Sequence, residues 1–117
     1  AKHIYKKPEE KELPSINRRI RERVSHLVKL HGFQYNKLTL KSMYTRWGSC
    51  SKKNNISLNI LMYQLSEEIQ DYLILHELMH TKIRNHGNDY WQALDKITGG
   101  SRKLDKKLKY DYLLYKE

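Results

Sequence analysis

The chain has 117 residues, with 23 Lys and Arg against 13 Asp and Glu and a single cysteine, Cys50. That length suits one domain over 1–117 with a core that needs no disulfide staples, and one cysteine permits no intrachain disulfide. No run of about eighteen apolar residues is present, which excludes a membrane-spanning helix, and Ala1-Lys2-His3-Ile4-Tyr5 lacks the apolar stretch of a secretory signal. A lone thiol fits a reducing compartment, so a cytoplasmic location is expected. The net charge of +10 favours contact with polyanions, nucleic acid among them. It fits a plain lysine-rich surface equally well, so it allows that partner without specifying it.

Residues 1–13 are charged and almost free of apolar side chains after Tyr5, and read as a loose arm or a truncated strand. Pro14-Ser15 then opens a helix, with Ser15 as the expected N-cap. Ile16, Ile20, Val24, Leu27 and Val28 recur at helical spacing until Gly32 stops the run, while Arg18, Arg19, Arg21 and Arg23 take the other face. The period then changes to two. Leu38 and Leu40 alternate with Lys37, Thr39 and Lys41, and Ile56, Leu58 and Ile60 alternate with Ser57 and Asn59. Between them Ser51-Lys52-Lys53-Asn54-Asn55 is a polar turn in which either asparagine can take a left-handed conformation. Two or three antiparallel strands are expected.

A long helix is expected from Ser66 to about Arg84, with Glu67 and Glu68 in its first turn. Tyr72-Leu73-Ile74-Leu75 makes it apolar on all sides and hence buried. Asn85 and Gly87 break it. A short helix follows from about Asn88 to Ile97, ending at Gly99-Gly100. A last one runs from Ser101 to about Tyr115, with Leu104, Leu108 and Tyr112 repeating. The fold class is α+β: an N-terminal helix, a small sheet, a buried helix and two C-terminal helices.

The chemistry concentrates in His76-Glu77-Leu78-Met79-His80. Residues four apart share a helix face, so both imidazoles can reach one ion at about 2.0–2.1 Å. Glu77 projects beside that face, where a water on the ion would sit, as in the two-histidine helix of zinc proteases. The competing reading is a pair of satisfied core histidines. Two unpaired histidines and a glutamate on a buried helix are costly, which argues against it. His86, six residues on and past the Asn85 break, supplies a third ligand. Three ligands leave an open, catalytic position; a closed structural site would need Cys50 or another histidine. His26 and His31 fall in or beside the first helix and read as surface or cap residues, and His3 lies in the arm.

Four ordered segments resemble the YgjP-like metallopeptidase family: Arg46-Trp47-Gly48-Ser49-Cys50-Ser51, Ile56-x-Leu58-Asn59, Asp71-Tyr72-x-x-x-His76-Glu77-Leu78-x-His80, and Asn85-His86-x-x-x-Tyr90-Trp91. The resemblance covers positions 46–91. It implies a small metal-dependent hydrolase with a zincin-like core, related in layout to SprT-like DNA-associated proteases. It also implies Zn2+ on His76, His80 and His86 and a catalytic Glu77. Three departures from the family pattern occur: Asn54 replaces a usual turn glycine, Gly87 a usual serine, and Gln64-Leu65-Ser66 a usual proline. None is a ligand.

A zinc ion there makes water available as a nucleophile near neutral pH. Glu77 is expected to take the water's proton and return it to the leaving amine of a peptide or protein substrate. A second oxyanion stabiliser is sought among Arg46, Arg84, Tyr90 and Tyr44, with Arg46 preferred; Tyr90, like Trp47 and Trp91, reads first as packing. The strand at Ile56–Ile60 is expected to be the edge that pairs with an extended peptide. Two rival readings stand: a basic nucleic-acid-associated module, for which the Arg18–Arg23 face and the Lys96–Lys109 segment supply the charge, and a zinc-bound inactive scaffold.

Overall fold

Ile16, Ile20, Val24 and Leu27 form the buried stripe of the first helix, α1 (Leu13–His31), in a computed structural model that describes residues 5–111. Proline lacks the N–H that a first helical turn leaves unpaired anyway, so Pro14 fits inside that turn. The helix therefore starts ahead of Ser15, which is not its cap. A short 3-10 turn at Glu10–Glu12 leads directly into α1, tied by the Glu9 amide donating to the Glu12 carboxylate at 3.0 Å. At the other end Gly32 takes a left-handed φ of 72° and donates its N–H to the Val28 carbonyl. Residues 5–9 form no strand. Tyr5 meets the Trp47 ring edge-on at 5.1 Å, and the Lys6 amide and carbonyl both bond to the Gln64 side chain. Ala1–Ile4 lie outside the described residues.

Three strands follow: β1 (Lys37–Lys41), β2 (Gly48–Cys50) and β3 (Asn55–Asn59), in the order β1-β3-β2. The β2–β3 pair is an antiparallel hairpin whose turn is closed by Asn54 at a φ of 62°, while Asn55 begins β3. The expectation of a wholly antiparallel sheet is corrected at β1, which pairs parallel to β3 from Lys37↔Asn55 to Lys41↔Asn59. Alternation says which face a residue takes and carries no information about strand direction. The order also corrects the expected substrate edge. β3 is hydrogen-bonded on both sides; β1 and β2 are the outer strands, and β2 is the one that packs on α2.

The 42–47 segment carries the chain past the place that β3 fills, and Asn59 pins it there. This fully buried side chain donates from Nδ2 to the Met43 and Arg46 carbonyls at 2.8 and 3.0 Å. Its Oδ1 accepts from the Leu61 amide, capping a second 3-10 turn at Ile60–Gln64. Asn59→Ala leaves those groups unpaired in the interior and is expected to cost about 1–3 kcal/mol, read as a lower denaturation midpoint.

The central helix, α2 (Glu67–Met79), is capped by the Ser66 hydroxyl and packs against α1 on one flank and the sheet on another. Arg23 of α1 clasps Asp71 with two hydrogen bonds of 2.8 and 2.6 Å. The helix stops at Met79, a turn before the expected end near Arg84. His80 and Thr81 direct their amides to the Glu77 and Leu78 carbonyls in tighter 3-10 fashion, and the Thr81 hydroxyl also takes the Leu78 carbonyl. Helices α3 (Asn88–Thr98) and α4 (Ser101–Asp111) then cover α2. Gly99 ends α3 at a φ of 75°, and the Asp95 carboxylate takes both the amide and the hydroxyl of Ser101 at the start of α4. Leu104 and Leu108 pack on the core, whereas Tyr112 lies outside the described residues. No helix among the described residues is long and apolar enough to cross a membrane.

Candidate metal centre

His76 lies in the last turn of α2 and His80 caps it, so their rings share one face of the helix end. The 81–85 turn brings His86 back to them. Nε2 of His80 and Nε2 of His86 are 2.8 Å apart, and Nε2 of His86 and Nε2 of His76 are 3.3 Å apart. One ligand atom from each residue lies within 4.8 Å of the other two. Two nitrogens on a single tetrahedral ion at about 2.0–2.1 Å stand roughly 3.3 Å apart. Three imidazole nitrogens gathered this closely can share one cation through their lone pairs, and this donor set fits a zinc-like dication. Burial pushes the His76 imidazole down to about 4 against the pull of Asp105, and burial also lowers His80, so both present the neutral form that ligates. Cys50 lines the same cavity but is outside the ligand cluster, so among the described residues the set is three histidines.

The rings are held from behind. His80 Nδ1 meets the Ile83 carbonyl at 3.0 Å; a carbonyl only accepts, so Nδ1 carries the proton and Nε2 keeps its lone pair. Helix α3 supplies two aromatic props. Tyr90, with no exposed surface, stacks on the His80 ring at 4.6 Å and 18°, and its hydroxyl donates to the His76 carbonyl at 2.8 Å. Trp91 donates from Nε1 to the His86 carbonyl at 3.1 Å.

The structure separates the four residues considered for oxyanion stabilisation. The Tyr90 hydroxyl is spent on a backbone carbonyl. The Arg84 guanidinium clamps the β2–β3 turn through the carbonyls of Ser51 and Lys52 and the side chain of Asn54, at 2.5–2.8 Å. Tyr44 is 72% exposed and accepts from Lys7 Nζ. Arg46 is exposed and is the cation whose field acts on Glu77.

Glu77 is 6% exposed, and burial pushes its carboxyl up to about 8 against the opposing charge of Arg46. A bound dication acts in the same direction as Arg46 and favours the carboxylate. The side chain lies over Gly48 of β2. A Cβ built at Gly48 would stand 2.9 Å from Glu77 Cγ and 3.0 Å from Oε2. Gly48 is a site residue with no role visible in the motif alone; the available signal was a glycine inside a short strand, which marks a close approach. Gly48→Ala is expected to displace the Glu77 side chain or push β2 from α2, an overpacking that costs about 1–3 kcal/mol and is read as a lower melting temperature. Gly48, Ser49, Cys50, the three histidines, Glu77 and Arg84 line an open cavity of about 270 Å³.

The YgjP-like metallopeptidase domain matches residues 3–111 of the chain. The chain belongs to that family. Among solved structures it is similar to the metallopeptidase zymogen jannalysin of Methanocaldococcus jannaschii, at 26% identity over 76% of this chain and 92% of that one, with a TM-score of 0.64. It also shares its fold with the metallopeptidase zymogen abylysin of Pyrococcus abyssi, at 22% identity over 81% and 98% of the two chains and a TM-score of 0.66. Comparison with curated proteins gives no match. This YgjP-like chain is a metallopeptidase-like hydrolase, and its three-histidine cluster lies within the family domain.

Proposed function

We propose that the chain is a zinc-dependent peptidase in which His76, His80 and His86 hold the ion and Glu77 is the general base. The observation that carries this reading is the convergence of three imidazole nitrogens within 4.8 Å of one another, with a buried carboxylate one residue from the first of them. Three imidazole ligands suit zinc among the common divalent ions and leave one position open. When bound, zinc supplies a Lewis acid for the carbonyl and an acidified water.

The remaining steps belong to the chain. Glu77 accepts the proton of the attacking water and hands it to the leaving amine. Arg46 places positive charge on the Glu77 side of the site and is the group assigned to the developing oxyanion. Tyr90 acts as a positioning residue for His80 and for the helix end, without touching substrate. The Trp47 carbonyl and the Ser51 amide bond to β3, so by alternation the backbone groups of Gly48 and Cys50 face the outer side of β2. An extended peptide added there runs past the metal cluster.

Helix α4 exposes Arg102, Lys103, Lys106, Lys107 and Lys109, which supports recruitment to a polyanion such as nucleic acid. Binding that did not weaken with rising salt would count against that. The free thiol of Cys50 supports a reducing compartment such as the cytoplasm.

The deciding experiment is elemental analysis of the native protein, paired with mass-spectrometric detection of cuts in a defined peptide mixture. About one zinc per chain with metal-dependent cleavage is expected. Protein without a stoichiometric transition metal, or a metal-loaded chain that cuts no peptide, overturns the reading.

A further inference from the structure

Helix α4 carries one acid where its apolar stripe should be continuous. Ser101, Leu104, Asp105 and Leu108 share its inward face, and Asp105 is only 8% exposed. A carboxylate at a core position calls for a partner that justifies its burial. Its Oδ2 meets Lys109 Nζ at 3.1 Å on the solvent side. Its Oδ1 accepts from the Tyr72 hydroxyl at 2.8 Å and lies 3.7 Å from His76 Nδ1. The same hydroxyl is 3.0 Å from His76 Nδ1, and Tyr72 itself is 1% exposed.

The direction of these bonds is determined by counting protons. A phenol has one hydrogen, and a carboxylate can only accept. The Tyr72 hydrogen therefore points at Asp105, and the hydroxyl oxygen faces His76 as an acceptor. His76 Nδ1 must then carry the imidazole proton, which leaves the lone pair on Nε2, the atom that meets Nε2 of His86. If Asp105 is taken away, the hydroxyl is free to donate to Nδ1 instead, which moves the imidazole proton to Nε2 and blocks ligation.

We propose that Asp105, acting through the Tyr72 hydroxyl, is a positioning residue of the metal centre that fixes the ligating tautomer of His76. The inference rests on the reading of His76 as a ligand. It gives α4 a function in the site and makes the seating of the last helix a condition for tight metal binding. Outer partners of this kind change metal affinity about 10–100-fold.

The test is Zn2+ affinity, measured by competition with a chromogenic chelator, for the full chain, Asp105→Ala, Tyr72→Phe and the double variant. Asp105→Ala is expected to bind about 10–100-fold more weakly, and Tyr72→Phe less severely. The double variant should bind more tightly than Asp105→Ala alone, because it removes the hydroxyl that donates the wrong way. Purely structural losses would instead accumulate. Long-range 1H–15N NMR of the metal-free wild type should show His76 protonated at Nδ1, a reading that survives a failure of Asp105→Ala to fold. Wild type without zinc affinity overturns both this inference and the metal reading beneath it. Wild type that binds zinc while Asp105→Ala binds equally well, or His76 protonated at Nε2 in the metal-free chain, overturns the inference alone.

Discussion

Glu77→Gln is expected to lower peptide cleavage by about 10²–10⁴-fold while leaving the zinc content at one per chain. Glutamine matches glutamate in volume, so the close packing over Gly48 survives and β2 keeps its place. What disappears is the capacity to take a proton. The three histidines do not lean on Glu77: His80 is oriented by the Ile83 carbonyl, His76 by the Tyr72 hydroxyl, and the His86 backbone by Trp91. Metal affinity should therefore hold. Stability should hold too, because burial disfavours the charged carboxylate that the substitution removes. The measurement is kcat/KM on a peptide found to be cut, with metal content and melting temperature on the same preparation. Retained zinc with retained turnover would remove Glu77 from the mechanism and leave the two-histidine helix as a metal-binding scaffold.

The parts of this site that were legible in the sequence are those set by local spacing. His76 and His80 meet because a helix repeats every three to four residues, and Ser66, Gly32 and Asn54 mark an N-cap, a helix stop and a left-handed turn for reasons internal to a few residues. His86 was readable as a third ligand because Asn85 and Gly87 promised a break after His80. The sheet was not readable to the same degree. Leu38 and Leu40 alternate identically whether β1 runs with or against β3, and only the course of residues 42–47, pinned by Asn59, decides between the two. Helix α2 ends before Arg84 because Thr81 competes for a carbonyl that a longer helix would use internally, and the apolar periodicity does not show that competition. Gly48 and Asp105 act over 29 and 33 residues of sequence, through contacts with Glu77 and Tyr72 that no local pattern encodes. The local motif thus names the atoms that meet the metal, and the tertiary structure names those that orient them.

His86→Ala is expected to abolish tight zinc binding, weakening it by more than about 100-fold, beyond the range of outer-partner changes. Two histidines on one helix face remain, and the third corner of the site is open to water. The size of this effect contrasts with how little the fold should notice. His86 is exposed, and the bond that anchors its stretch of chain runs from Trp91 to the His86 carbonyl, which alanine keeps. Its ring also meets those of Tyr90 and Trp91 at 4.9 and 5.7 Å, so the metal-free variant should unfold within about 1 kcal/mol of the metal-free wild type. His80→Ala is a poor substitute for this test, since it also removes the ring that Tyr90 stacks on and so mixes packing with ligation. Thermal or chemical unfolding with and without zinc reads the difference directly. A ligand present at 100 times its Kd stabilises the folded state by about 2.7 kcal/mol. Wild type should gain that increment at a zinc concentration where His86→Ala gains at most about 0.4 kcal/mol, and the variant should lose cleavage with it. An equal zinc-dependent rise in both proteins would mean that His86 is a bystander, and that the open site is completed by another group of the chain.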